Sequence, residues 1–161
     1  MYKRKEIPLF SWDNFGELSR DISIRVSYGE IAPRPGYMRT HYHSYYCGFY
    51  VTEGEYEVEF ENEIVPMSKN YCILIRPQVS HRVKRGASAR GYALAVNQEL
   101  LLDTFLLHMA QNKVFSDFFY NQFIDKTGSP YYIRLFDREP EETAQVLRGI
   151  TKELKMQDGL T

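Results

Sequence analysis

Two histidines stand one residue apart in "THYHSYYCGFYVTEG", residues 40 to 54, and a third, His81, follows in "NYCILIRPQVSHRV". Spacing of two puts His41 and His43 on one face of an extended strand. With the same parity, Arg39, Tyr45, Cys47, Phe49 and Val51 share that face. Two histidines on one face suggest metal, and three meet the minimum for a site with an open position. A polar pocket wall without metal is preferred, buried histidines with a purely structural role come next, and a bound metal comes last. Cys47 reads as a soft ligand, as a thiolate or as a small buried hydrophobe, and the last is preferred. An inward Arg39 would need an acid or an anionic or polyhydroxyl ligand. At the strand end it would instead be solvated, and the two readings carry even weight.

The elements that must position these residues fall into two halves. From 22 to about 96 the chain reads as short strands between turn residues. "ISIRVSYGEI" alternates Ile22, Ile24, Val26 and Tyr28 against polar residues, and "EYEVEFE" alternates Tyr56, Val58 and Phe60 against glutamates. "NYCILIRP" is a continuous apolar run closed by Pro77, as expected of a strand covered on both sides. "ARGYALAVN" places Ala89, Gly91, Ala93 and Ala95 on one face and Arg90, Tyr92, Leu94 and Val96 on the other. The loop after His81 breaks the parity count, so the inner face of that strand is left open.

After Asn97 the period lengthens. "QELLLDTFLLHMAQ" and "VFSDFFYNQF" read as helices, "TGSP" breaks the chain, and "YYIRLF" reads as a short extended piece. "REPEETAQVLRGITKELKMQ" reads as a helix with an early Pro140, acids first and bases later, matching the helix dipole. Its apolar stripe includes Val146, Leu147, Ile150 and Leu154. That stripe serves either a dimer seam or packing on the chain's own barrel.

Bulk properties exclude several classes. The 161 residues fit one domain, and 43% hydrophobic with 25% charged residues is a globular composition. A net charge of −1 and a pI near 6.4 give no electrostatic footprint for nucleic acid or an anionic membrane. No apolar run approaches a bilayer span, and the first residues lack the apolar centre of a signal peptide. Two cysteines make no disulfide scaffold, so a cytoplasmic location is expected.

The glycine at 36, His41-x-His43, Cys47, Gly54, Pro77 and His81 resemble the two motifs of the cupin superfamily, whose side chains converge inside a jelly-roll barrel. Cys47 stands where those motifs carry an acid. With "YALAVNQELL" and "VLRGITKEL" added, roughly residues 8 to 157 look like the sensor half of AraC-type transcription regulators. The resemblance implies a cupin-like barrel over 1–97, carrying an N-terminal arm, and a helical dimerisation segment over 98–161 packed on it. It implies a non-enzymatic domain that binds a small polar effector, often a sugar, with no cofactor. DNA contact would fall to a further domain that this chain does not contain.

The expected effector contacts are Arg39, His41, His43, Tyr45, Cys47, His81 and Tyr92, with Trp12 on an arm over the barrel mouth. No metal is expected, because the acid is missing. A homodimer is expected through Val146, Leu147, Ile150 and Leu154. The competing reading is a stand-alone metal-dependent cupin enzyme, an isomerase or dioxygenase, using His41, His43 and His81.

Overall fold

The computed structural model describes residues 9–10, 24–31, 39–84, 88–97 and 131–158. Trp12 and the two helices expected between 98 and 123 lie outside the described residues. Among the described residues nine strands and one helix follow in order: β1 (Leu9–Phe10), β2 (Ile24–Glu30), β3 (Tyr42–His43), β4 (Tyr46–Glu59), β5 (Ile64–Ser68), β6 (Tyr71–Ile75), β7 (Arg82–Val83), β8 (Ser88–Val96), β9 (Tyr132–Phe136) and α1 (Pro140–Asp158). The main sheet is antiparallel in the order β2-β8-β4-β6-β9, with β5 and β7 pairing the far half of β4. This is the mostly β, jelly-roll-like body with a C-terminal helix that the resemblance implies. The backbone of β1 runs parallel to β3, Leu9 opposite Tyr42 and Phe10 opposite His43, so these two residues flank the histidine strand.

Strand β4 is the spine, and its sequence carries a change of phase. Cys47, Phe49 and Val51 face the interior at odd positions, whereas Tyr56, Val58 and Phe60 face it at even ones. A bulge between Val51 and Glu53 supplies the extra residue, and without it one apolar set would point to water. Gly54 follows the bulge at φ +78°, and a Cβ there would meet the Ser88 carbonyl. Gly91, opposite Val51, is required for closeness instead, since a Cβ would collide with the Tyr50 carbonyl. On the outer face Glu57 and Glu59 pair with Lys84 and Arg82 at 2.9 and 2.7 Å. Such exposed pairs are worth about 0.2–1 kcal/mol each.

Two apolar clusters sit on opposite faces of the sheet. The interior one includes Tyr45, Cys47, Phe49, Val51, Tyr56, Val58, Ile73, Ile75, Ala89 and Ala95. The small face of β8 is therefore the inner one. The outer cluster joins Val26, Tyr50 and Tyr92 to Leu147 of α1, with Ile150 and Leu154 packed against it. Burying these side chains holds the helix on the sheet, each worth about 1.5–3 kcal/mol if fully covered. Asp137 ties its start: Oδ2 accepts the Tyr50 hydroxyl at 2.7 Å, and Oδ1 accepts the Glu139 N–H at 2.9 Å. "YYIRLF" becomes β9 on the edge of the sheet, paired with β6 from Tyr71 opposite Phe136 to Ile75 opposite Tyr132. Among the described residues no helix is long and apolar enough to cross a membrane.

Candidate functional site

His41, His43 and His81 are the buried polar side chains of the described residues, 1–3% exposed. Backbone bonds bring them together. His41 and His81 form an isolated antiparallel bridge, each N–H bonded to the other's carbonyl at 2.9 Å. The Gln78 N–H donates to the His43 carbonyl at 2.8 Å, which holds the loop carrying His81 against β3. Gln78 reaches this position at φ 65°, a left-handed conformation that a non-glycine residue adopts at a cost.

The rings meet with centroids 4.9 Å (His41–His43), 4.6 Å (His41–His81) and 5.2 Å (His43–His81) apart. One ring nitrogen from each lies within 4.8 Å of the others. His41 Nδ1 sits 2.7 Å from the Arg39 carbonyl and His81 Nδ1 sits 2.9 Å from the Val79 carbonyl. A carbonyl only accepts, so in both rings Nδ1 carries the proton and Nε2 presents a lone pair. His81 Nε2 is buried with no hydrogen-bond partner among the described residues.

Burial lowers all three pKa values, because charge is disfavoured away from water. For His81 burial, then the neighbouring His41, brings it to about 4. For His43 burial, then His81 and His41, brings it to about 2. His41 is lowered by burial, with its bond to the Arg39 carbonyl working the other way. The cluster is neutral at pH 7 and offers acceptors rather than charge.

Three neutral imidazoles, two with Nδ1–H tied to carbonyls, are suitable donors for a divalent transition metal. Three ring nitrogens within 4.8 Å of one another can converge on one bound atom, a metal at about 2.1 Å or a hydroxyl at a hydrogen-bond distance of about 2.8 Å.

Of the other expected contacts, Tyr45 is buried with its ring 4.8 Å from His43, and Cys47 lies in the interior apolar cluster. Burial pushes the Cys47 thiol up to about 12, so it is protonated at neutral pH. Two expected contacts lie elsewhere. Arg39 is exposed and contributes its carbonyl, because the chain there is a bend outside the barrel. Tyr92 points to the opposite face, because β8 turns its alanines inward, and packs with Val26, Tyr50 and Leu147. Of the four residues expected at a dimer seam, Leu147, Ile150 and Leu154 pack on the chain's own sheet, and Val146 is 60% exposed.

One interior polar group escaped the sequence reading. The Tyr56 hydroxyl is buried and has no partner among the described residues. Alternation put Tyr56 on the apolar face, but only the assembled core shows that its oxygen meets no donor or acceptor among the described residues. Phe60 closes the wall beside His81, at 6.1 Å, with Tyr132 stacked on it at 4.9 Å.

Residues 27–96 match the cupin domain family. A search of curated proteins finds no match. Among solved structures the chain is similar to ToxT of Vibrio cholerae, an AraC-family regulator, in its complex with (E)-4-(8-methylnaphthalen-1-yl)but-3-enoic acid. Identity is 8%, 82% of this chain is covered, and the TM-score is 0.51. The chain spans about half of ToxT, 48% of its length. A cupin-2 domain protein from Shewanella frigidimarina follows at 16% identity, 46% of this chain, 67% of its own and TM-score 0.35. Streptomyces albus HEPD, with 2-hydroxyethylphosphonate and Fe(II) bound, has 16% identity, 58% and 24% coverage and TM-score 0.35. At 8% identity the likeness to ToxT speaks to fold alone.

Proposed function

We propose that the chain is the effector-binding domain of an AraC-type transcription regulator, and that it binds rather than catalyses. Its effector is a neutral, hydroxyl-bearing molecule of sugar type, seated on His41, His43 and His81. The observation that carries this is the buried His81 Nε2 with no partner among the described residues, beside two more neutral rings converging with it. An acceptor left unpaired in a core costs about 1–3 kcal/mol, and an incoming O–H donor recovers it. The Tyr56 hydroxyl is the second such group in the interior. Ligand shifts a regulator only by binding one arrangement better than another, and β1, beside the histidine strand, is the segment placed to respond. The reading assigns DNA contact to a further domain, a cytoplasmic location to the regulator and a homodimer contact to the outward face of α1, at Val146.

Calorimetric titration of chelator-treated protein with a panel of pentoses, hexoses and polyols tests the pocket. One saturable ligand is expected, lost in both His43→Ala and His81→Ala. A panel that binds nothing, or binds equally to both variants, removes the effector reading. Sedimentation velocity of Val146→Glu tests the dimer, which is expected to dissociate.

The tautomers support a second reading, a metal-dependent cupin enzyme with His41, His43 and His81 as ligands. A bound metal would supply Lewis-acid chemistry at its open positions. Stoichiometric cobalt(II) absorption that His43→Ala abolishes, with no sugar or polyol bound by metal-free protein, would establish it in place of the first.

A further inference from the structure

We propose that the groove between α1 and the outer face of the sheet is a second binding site, for a small organic anion with an aromatic body. The groove measures about 830 Å³, within the range of small-molecule sites. Its floor is Tyr28, Thr52 and Tyr92, and its wall is Arg148, Lys152 and Lys155. Tyr92 stands in register with Tyr28 and Tyr50 on the outer side of the sheet, so the groove and the histidine cluster lie on opposite faces.

The wall is a concentration of one charge. Arg148, Lys152 and Lys155 recur at spacings of four and three, which places them on one face of α1. Neither Arg148 nor Lys152 has an acid three or four residues away: those positions hold Ala144, Gln145, Gly149, Thr151 and Met156 besides the cations themselves. Like charges at these spacings repel. Among the described residues the ion pairs are Arg82–Glu59 and Lys84–Glu57, and none involves the three wall cations. The helix dipole accounts for Lys155 in the last turn, but its influence fades before Arg148, near the middle of α1. A bound anion would relieve the repulsion.

The floor supplies the apolar part. Tyr28 is 49% exposed, with its ring 4.9 Å from Tyr92 and the Arg90 guanidinium 5.6 Å from its centroid. A flat aromatic body can stack on that open ring. The Thr52 hydroxyl donates to the Arg90 carbonyl at 3.1 Å. The Tyr28 hydroxyl lies 3.5 Å from Thr52 Oγ1, a long contact that leaves its proton able to turn to a carboxylate. The groove thus offers cations and a donor to an anion, whereas the histidine cluster offers neutral acceptors to hydroxyls.

The test uses the whole chain with three probes: 1-naphthoate, the neutral 1-naphthalenemethanol, and inorganic phosphate. Binding of 1-naphthoate is expected to weaken tenfold or more in Arg148→Glu/Lys152→Glu and severalfold in Tyr28→Ala. It is expected to weaken with added salt and to be unchanged in His43→Ala. Circular dichroism confirms the fold of each variant, and Arg148→Gln/Lys152→Gln replaces the charge reversal if that one unfolds. The alcohol binding as well as the naphthoate would overturn the anion assignment, and phosphate binding as tightly would overturn the aromatic one. No binding, or binding lost in His43→Ala and kept in the groove variants, would overturn the site.

Discussion

His41 and His81 are joined backbone to backbone, each N–H on the other's carbonyl at 2.9 Å, with their rings 4.6 Å apart. The residues that bring the two sequence motifs together are thus held by main chain as well as by their rings' bonds to the Arg39 and Val79 carbonyls. His81→Ala is expected to keep the bridge, so the amide protons of residues 41 and 81 should remain slow to exchange with deuterium. Fast exchange at both would show that the rings, not the backbone, hold the site together.

Acid should unfold the metal-free protein through this cluster. In the unfolded chain a histidine titrates near 6.5, but in the fold His81 is held near 4 and His43 near 2. Between the two values the unfolded state binds more protons, so stability is full above pH 6.5 and falls as pH drops towards 4. Each histidine removes about 1.4 kcal/mol per pH unit once well below 6.5. Urea midpoints from pH 7.5 to 4.5 should show this decline, and His43→Ala should flatten it. A midpoint independent of pH would mean that the rings are open to water.

Tyr56→Phe separates stability from binding. Removing a buried hydroxyl that has no partner among the described residues should stabilise the ligand-free protein by about 1 kcal/mol. The same change should weaken whichever sugar or polyol the wild type binds. Urea denaturation and calorimetry on one preparation report both effects, and a loss of stability would show that the hydroxyl is satisfied.

Gly91→Ala should be among the most damaging single-methyl changes in the chain. The new Cβ would meet the Tyr50 carbonyl, and a backbone atom cannot swing aside as a side chain can. We expect a loss of about 3 kcal/mol or failure to fold, measured by urea denaturation. Gly29→Ala is the control, because a Cβ there meets nothing within 4 Å.

Much of this was legible from residue order. The spacing of His41 and His43 put both on the inner face, and the alternation from Tyr56 to Phe60 matches the buried face of β4. Strand parity failed where the chain is not continuous. Tyr92 lies beyond a loop that resets the count, and the alternation of Ile24, Val26 and Tyr28 marks a face covered by α1, not by the barrel. The stripe on α1 was readable, but a helix buries the same stripe against a partner or its own sheet, and Leu147 is 7% exposed against the latter. Orphaned atoms such as the Tyr56 hydroxyl exist only once the core has closed.

Strand β9 gives the molecule an order of assembly. Residues 132–136 complete the sheet by pairing with β6, some sixty positions earlier, and lead directly into the Asp137 contacts that fix α1. During synthesis β6 leaves the ribosome long before the strand that covers its edge. A nascent chain halted before Tyr132 would therefore carry an open, apolar strand edge, the feature on which chains stick to one another. Among the described residues β9 is what covers that edge, so a chain ending before Tyr132 should aggregate more readily than the full chain.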